Sequence, residues 1–391
     1  MAAVSLTTGA GATLPRQARP STDQGAVPAQ FGDLLTGVSR TFALSIPELP
    51  SPLDEWVTCA YLVCRIIDTL EDRPGGDERE RQQQFDDVIA ALGPPVDVSN
   101  VGRLVRSHPK REAQAGSPGD DPWAGSPSHE TRAGSPSHGP CHAPSDPCGQ
   151  LMTMSPEVFD WLAGFPEPAI DAVRRCAVEM IYGLRRTPLP SIAAVEGRAV
   201  FLFERVRELE RYCHYAAGVV GMMLTRLFSA HLGPDLLPAD RARLHAGKRF
   251  GRGLQLTNII KDHPADLRDG RCFIPREALA RFELTPADLL RPHLPDALRR
   301  WIVDRAAAHL SVAVDYTLSV PPTAAGVRRF CIQPLMMAVL TLQRVLSHPD
   351  ITPDDRPKIT REQVADVIGT SRQIDRDDRA IRSWFDEHAV Q

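Results

Sequence analysis

No stretch of the chain reaches the roughly 18 uninterrupted apolar residues that a membrane-spanning helix needs. The longest apolar run, Tyr215 to Leu224, is short and carries two glycines. A basic excess is also missing. The net charge is −4 and the sequence pI about 6.3, which excludes nucleic acid as the main partner, since a protein living on phosphate contacts is usually basic. The opening residues, MAAVSLTTGAGATLPRQARP, lack a basic start followed by an apolar run, so no secretory signal is read there. A cytoplasmic protein is expected, with peripheral contact to a membrane as the further expectation. A disulfide framework is absent too. The eight cysteines, at 59, 64, 141, 148, 176, 213, 272 and 331, are scattered and mostly sit in apolar helical text, as reduced buried thiols do. Alternating strand patterns are nearly absent; only Arg271–Pro275 reads as extended.

What is present is a globular composition: 391 residues, 42% hydrophobic and 24% charged, enough for a sizeable core. Proline is the outlier, with 35 residues against an average near 5%. Residues 1–30 read as a tail. Residues 94–150 read as a disordered insertion within one domain. AGSP recurs at 115–118, 124–127 and 133–136, and eight prolines fall between 109 and 148. Such text cannot bury enough apolar surface to offset its ordering entropy. His138, Cys141, His142 and Cys148 match no zinc template and read as part of that low-complexity loop. Helical periodicity covers about 31–93, 156–186, 194–230, 237–263, 276–282, 285–317, 323–346 and 360–388. The fold class is therefore all-α, a single helical domain over 31–391 interrupted by the insertion. A helix start is read at Ser51-Pro52-Leu53, with Asp54 and Glu55 in its first turn.

Two segments carry chemistry. In YLVCRIIDTLED (61–72), Asp68 and Asp72 lie four apart on one helix face, and Tyr61 and Arg65 extend that face upstream. The residues before Asp68 are strongly apolar, so two acids end a mostly buried helix. They repel each other and need a cation; oxygen ligands of this kind suit Mg²⁺ shared with a substrate phosphate. Taken alone, the pair reads equally well as the start of a solvated turn. The second segment, GLQLTNIIKD (253–262), puts Gln255, Asn258 and Asp262 on one face of an apolar helix. Buried amides without partners are costly, so they should line a polar cavity. Asp266 and Arg271 follow. Two such faces suggest facing walls of one pocket. Acids, metal and arginines there suit a departing diphosphate, and an apolar cavity can keep a carbocation from water.

With Ser39-Arg40-Thr41-Phe42, YLVCRIIDTLED (61–72), YCHYAAGVVGMMLTRLF (212–228) and LQLTNIIKDHPADLRDGRCFIP (254–275), the chain resembles the squalene and phytoene synthase family. FCIQPLMMAVLTL (330–342) and Lys358-Ile359-Thr360-Arg361 resemble its squalene branch. The resemblance implies an isoprenoid-synthase domain that couples two farnesyl diphosphates head to head through presqualene diphosphate, then reduces that intermediate with NADPH. It implies Mg²⁺ on Asp68 and Asp72 at one diphosphate and on Asp262 and Asp266 at the other. Ser39, Arg40, Arg65, Asn258 and Arg271 resemble diphosphate contacts, with Gln255 beside Asn258. Tyr215 resembles the tyrosine of proton removal in the first half-reaction, Tyr61 one tied to the second, and Phe330 an aromatic that lines the cavity. Lys358 and Arg361 resemble part of the NADPH-phosphate site. Tyr212 reads equally as an ordinary core tyrosine, and Gly218 and Gly221 as close helix packing.

The chain departs from the family pattern in places. Ala265 stands where a glutamate is usual, and Pro264 predicts an interruption of the helix between Asp262 and Asp266. Thr360 and Glu362 thin the basic cluster. The membrane anchor common in eukaryotic members is not expected. Alternatives are a presqualene diphosphate synthase, a phytoene- or dehydrosqualene-type synthase without reduction, and a non-catalytic isoprenoid-binding homologue.

Overall fold

The structure is a computed structural model, and it describes residues 26–39, 41–71, 78–101, 147–186, 191–195, 198–290, 294–348 and 356–390. The expected tail through residue 25, residues 102–146 of the insertion, Arg40 and Asp72 lie outside the described residues. The insertion's expected edges change. Val101 is buried, and a helix covers Pro147–Thr153 with Cys148, Leu151 and Met152 buried. Residues 94–101 and 147–150 therefore belong to the packed domain.

The described residues are helical almost throughout. The helices are α1 (Ala29–Val38), α2 (Phe42–Ser45), α3 (Leu53–Glu71), α4 (Glu78–Ala91), α5 (Pro147–Thr153), α6 (Ser155–Leu162), α7 (Glu167–Leu184), α8 (Val206–Cys213), α9 (Val219–Leu232) and α10 (Arg241–Arg268). They continue as α11 (Arg276–Arg281), α12 (Asp296–Leu318), α13 (Ala325–Ser347), α14 (Arg361–Ile374) and α15 (Asp378–Glu387). α3 begins two residues after the expected serine cap, still with Asp54 and Glu55 in its first turn against the helix dipole. It runs through the core, and Leu62, Val63, Ile66 and Ile67 are fully buried.

α9 and α10 approach closely because glycines line the crossing. A Cβ on Gly221 would come 2.0 Å from the Gly247 carbonyl oxygen, and one on Gly251 2.1 Å from that of Ala217. The expected packing role of Gly221 is what the structure contains.

α10 continues unbroken past Pro264, contrary to the expected interruption. A proline removes the N–H that would bond the carbonyl four residues back, here that of Ile260. His263 Nδ1 lies 2.9 Å from that oxygen and donates to it, replacing the lost backbone bond. Burial holds the imidazole neutral, lowering its pKa to about 4. Asp262 and Asp266 therefore stay one turn apart.

A small sheet was not legible as such. β1 (Ser191–Val195) pairs antiparallel with β2 (Arg198–Leu202), which pairs in parallel with β3 (Arg271–Cys272). Residues 194–202 read as the start of a helix, but Val200 and Leu202 point inward while Phe201 is 44% exposed, a period of two. The sheet serves the site. Gly270 turns the chain at φ +78° after α10, its carbonyl accepts the Phe201 N–H at 2.8 Å, and Arg271 is held in register opposite Phe201.

Seven described cysteines are buried and free. Cys64 and Cys176 touch, Sγ to Sγ 3.9 Å. Among the described residues one helix, α13, is long and apolar enough to cross a membrane. It is 72% buried over its apolar window, and Phe330, Cys331 and Pro334 on it line an internal cavity, as a core helix would.

Candidate active site

α3, α9, α10 and α13 enclose a cavity of about 1200 Å³ of empty space, counting its open end. Its walls are apolar and rich in rings. Phe42 lies 5.5 Å from Tyr61 and 6.2 Å from Phe330, and Phe228 meets Phe330 edge-on at 5.7 Å. Phe330, expected to line a cavity, is 3% exposed and does so. Such ring faces attract a cation that has no water around it. Tyr61 donates its hydroxyl to the Val38 carbonyl at 3.2 Å. Burial raises the Tyr61 pKa above its ordinary value although a Ser39 hydrogen bond and Arg65 oppose this, so the group is a neutral phenol. Ser39 caps the next turn, accepting the Phe42 N–H at 3.1 Å.

The polar end of the cavity opens into a second, smaller concavity. Asp68, Ala216, Gln255 and Asn258 line both. The second space adds Glu71, Asp262, Asp266, Arg271, Tyr212 and Phe273. Asp68 and Glu71 on α3 thus meet Asp262 and Asp266 on α10, while Asp72 of the expected α3 pair lies outside the described residues. Arg65 lies on the cavity side. Burial works against its charge, yet Asp68, Cys148 and Tyr61 together outweigh this and raise its pKa above the ordinary arginine value. Its Nη2 reaches Cys148 Sγ at 3.4 Å.

Tyr215 is not at this mouth. The chain passes from α8 into α9 through a wider π turn, His214–Gly218, closed by the Val219 N–H on the His214 carbonyl. A π turn adds a residue and shifts the facing of everything after it. Tyr212, before the turn, faces the mouth and stacks on Phe273 at 4.8 Å and 24°. Tyr215, inside it, lies over Gly183 and lines a shallow outer depression with Arg207, Glu210, Arg211, Arg252 and Arg305. Of the two YCHY tyrosines, Tyr212 lines the carboxylate mouth and Tyr215 does not.

Asp262 already carries cations. Arg356 Nη1 donates to Oδ1 at 3.0 Å, and Lys261 Nζ lies 2.8 Å from Oδ2. Among the described residues no three acidic, thiol or imidazole groups are gathered as a ready metal cage. Carboxylates on two facing helices with amide oxygens between them fit Mg²⁺, which binds through one or two carboxylates and completes its shell with water and phosphate. Lys358 and Arg361 lie in a separate groove beside the cavity, with Lys261, Ile359 and Thr257, and Asn258 is common to both. Lys261 is a third cation there that the motif reading passed over. Thr360 is occupied in capping α14, accepting the Gln363 N–H at 3.1 Å. Glu71 was missed as well, although it is three residues from Asp68 on the same helix.

An apolar, ring-lined helical cavity ending in facing carboxylates and arginines is the arrangement of an isoprenoid synthase. The chain belongs to the squalene/phytoene synthase family, whose family model matches residues 35–363. It is similar to the squalene synthase of Schizosaccharomyces pombe, 27% identical over 338 residues, covering 86% of this chain and 63% of that protein. It is 34% identical over 153 residues to the squalene synthase of Bos taurus, covering 37% of this chain and 36% of that protein. It thus spans less than two thirds of the length of these curated relatives. Among solved structures, TcSQS in complex with the ligand BPH1237 superposes with a TM-score of 0.69 at 22% identity over 92% of each chain. A dehydrosqualene synthase in complex with a ligand gives 0.55 at 18% identity, over 92% of this chain and 96% of that one. At these identities the likeness is one of fold.

Proposed function

We propose that this protein couples two farnesyl diphosphates head to head through presqualene diphosphate and reduces that intermediate to squalene with NADPH. The observation that carries the reading is continuity: one apolar cavity and one acid- and arginine-lined mouth share Asp68, Gln255 and Asn258. Asp68 and Glu71 on one wall and Asp262 and Asp266 on the other would hold Mg²⁺, with Asp72 part of the same proposal. Bound there, Mg²⁺ would neutralise the charge of the leaving diphosphate. Arg271 and Arg65 hold the anion from two sides, and Gln255 and Asn258 orient it where cavity and mouth meet. Phe42, Tyr61, Phe228 and Phe330 keep the cationic carbons in an apolar space and offer them ring faces.

Tyr212, which lines the mouth, would take the proton that leaves after the first coupling. A phenol near pKa 10 is a poor base, so it relays the proton to the departing diphosphate. Lys261, Lys358 and Arg361 suit the phosphates of NADPH, which would supply the two electrons of the reduction.

The test is product analysis. Purified protein is incubated with farnesyl diphosphate and Mg²⁺, with and without NADPH, and pyrophosphate release is followed beside mass spectrometry. Squalene formed only with NADPH supports both halves. Presqualene diphosphate under both conditions limits the enzyme to the first half, and dehydrosqualene marks coupling without reduction. No pyrophosphate release, with Asp68→Asn behaving as wild type, leaves a binding homologue.

A further inference from the structure

Arg356 stands 94 residues from Asp262 in the chain, yet its Nη1 donates to Asp262 Oδ1 at 3.0 Å while Lys261 covers Oδ2. The Arg356 side chain is 10% exposed and that of Asp262 14%, so solvent screens the pair little. The segment after it is pinned. The Lys358 N–H donates to the Arg356 carbonyl at 2.7 Å, Pro357 is buried, and Thr360 caps α14. The same few residues carry Lys358, Ile359 and Arg361 into the neighbouring groove.

We propose that Arg356 is a further diphosphate ligand of this site, one that occupies Asp262 while the site is free of substrate and transfers to phosphate oxygens when metal and diphosphate arrive together. The proposal rests on the reading of the mouth as a diphosphate site. A divalent cation and a guanidinium compete for the same carboxylate oxygen. Metal alone would have to leave Arg356 buried without an anion, which is costly. A diphosphate removes that cost, because its oxygens match the two-pronged guanidinium. Arg356 also shares with Lys261 the compensation of the Asp262 carboxylate one turn from Asp266. Metal alone should therefore bind weakly and the metal–diphosphate pair strongly. Occupancy of the mouth would tie down the segment that presents Lys358 and Arg361.

Two titrations on the full-length protein test this without turnover. Mn²⁺ alone is followed by loss of the free-ion paramagnetic signal, and inorganic pyrophosphate with Mg²⁺ by calorimetry. Arg356→Gln should bind Mn²⁺ about tenfold more tightly and magnesium pyrophosphate about tenfold more weakly, the scale of one charge-assisted hydrogen bond. Arg356→Lys keeps the charge without the fork. It should restore the resistance to Mn²⁺ and only part of the pyrophosphate affinity, and it carries the test if the glutamine variant does not fold. Tighter Mn²⁺ with unchanged pyrophosphate would overturn the transfer. Unchanged binding in Arg356→Gln beside a loss in Asp262→Asn would remove Arg356 alone; unchanged binding in both would remove the metal reading of the mouth and Arg356 with it.

Discussion

Tyr212 and Tyr215 are three residues apart on continuous helical chain but face different concavities, Tyr212 the carboxylate-lined mouth and Tyr215 an outer arginine-lined depression. In an α-helix, residues three apart share a face; the π turn at His214–Gly218 breaks that rule here. Tyr212→Phe should lower pyrophosphate release from farnesyl diphosphate by about 100-fold or more, the usual scale for a proton-transfer group, with little change in KM. Tyr215→Phe should stay within about threefold of wild type, since its ring packs on Gly183 and it lines the outer depression, not the mouth. A larger loss in Tyr215→Phe than in Tyr212→Phe would reverse the assignment.

The α9–α10 crossing sets the width of the cavity. At Gly221 an added Cβ would meet the Gly247 carbonyl oxygen at 2.0 Å, and a backbone oxygen cannot swing aside. Gly221→Ala should cost about 3 kcal/mol or more, at the upper end of overpacking effects, and show as a large drop in melting temperature. Gly369 on α14 is the contrast. Nothing lies within 4 Å of its added Cβ, so Gly369→Ala should stabilise by roughly 0.5–1 kcal/mol through helix propensity.

Glu210 gives the acid limb of stability a defined component. Its carboxylate is held by His309, by Arg305 at 2.6 Å and by Arg252 at 3.8 Å, and hydrogen bonding to His309 and Arg305 outweighs burial and lowers its pKa to about 2. A carboxylate with a depressed folded pKa stabilises above its unfolded pKa, and that stabilisation fades as pH falls through the folded value. Glu210→Gln should therefore cost on the order of 1–3 kcal/mol at neutral pH. The gap to wild type should narrow from about pH 4.5 downward and close near pH 2. Urea unfolding of both proteins across that range reads the gap directly, and a gap independent of pH would assign the loss to packing instead.

The long amphipathic helices were legible because their apolar residues recur with helical period, and the two acidic faces because Asp68 and Asp262 each follow an apolar stretch of helical sequence. What escaped was local. The sheet at 191–202 is short, and its alanines serve a helix pattern as well as a strand. Pro264 predicted a break because sequence spacing does not show that His263 can replace the missing donor to Ile260. The π turn leaves no composition signal, so the motif reading puts the proton-transfer role on Tyr215, which lines the outer depression, and not on Tyr212, which lines the mouth. Arg356 lies outside every motif and reaches Asp262 only through the fold.

The groove beside the cavity separates the two halves of the proposed reaction. Lys358 and Arg361 line it with Lys261, and neither lines the mouth where the diphosphate leaves. Each charge-assisted hydrogen bond to a phosphate contributes roughly 1.5–3 kcal/mol. Lys358→Gln with Arg361→Gln should therefore raise the KM for NADPH by about 100-fold or more while first-step pyrophosphate release without NADPH stays near wild type. Presqualene diphosphate should accumulate at NADPH concentrations that let the wild type run to squalene. Because the first step is the internal reference, misfolding would depress both readouts, and only loss of the cofactor's phosphate contacts would split them. An unchanged KM for NADPH in the double variant would move the reductant to another face of the cavity.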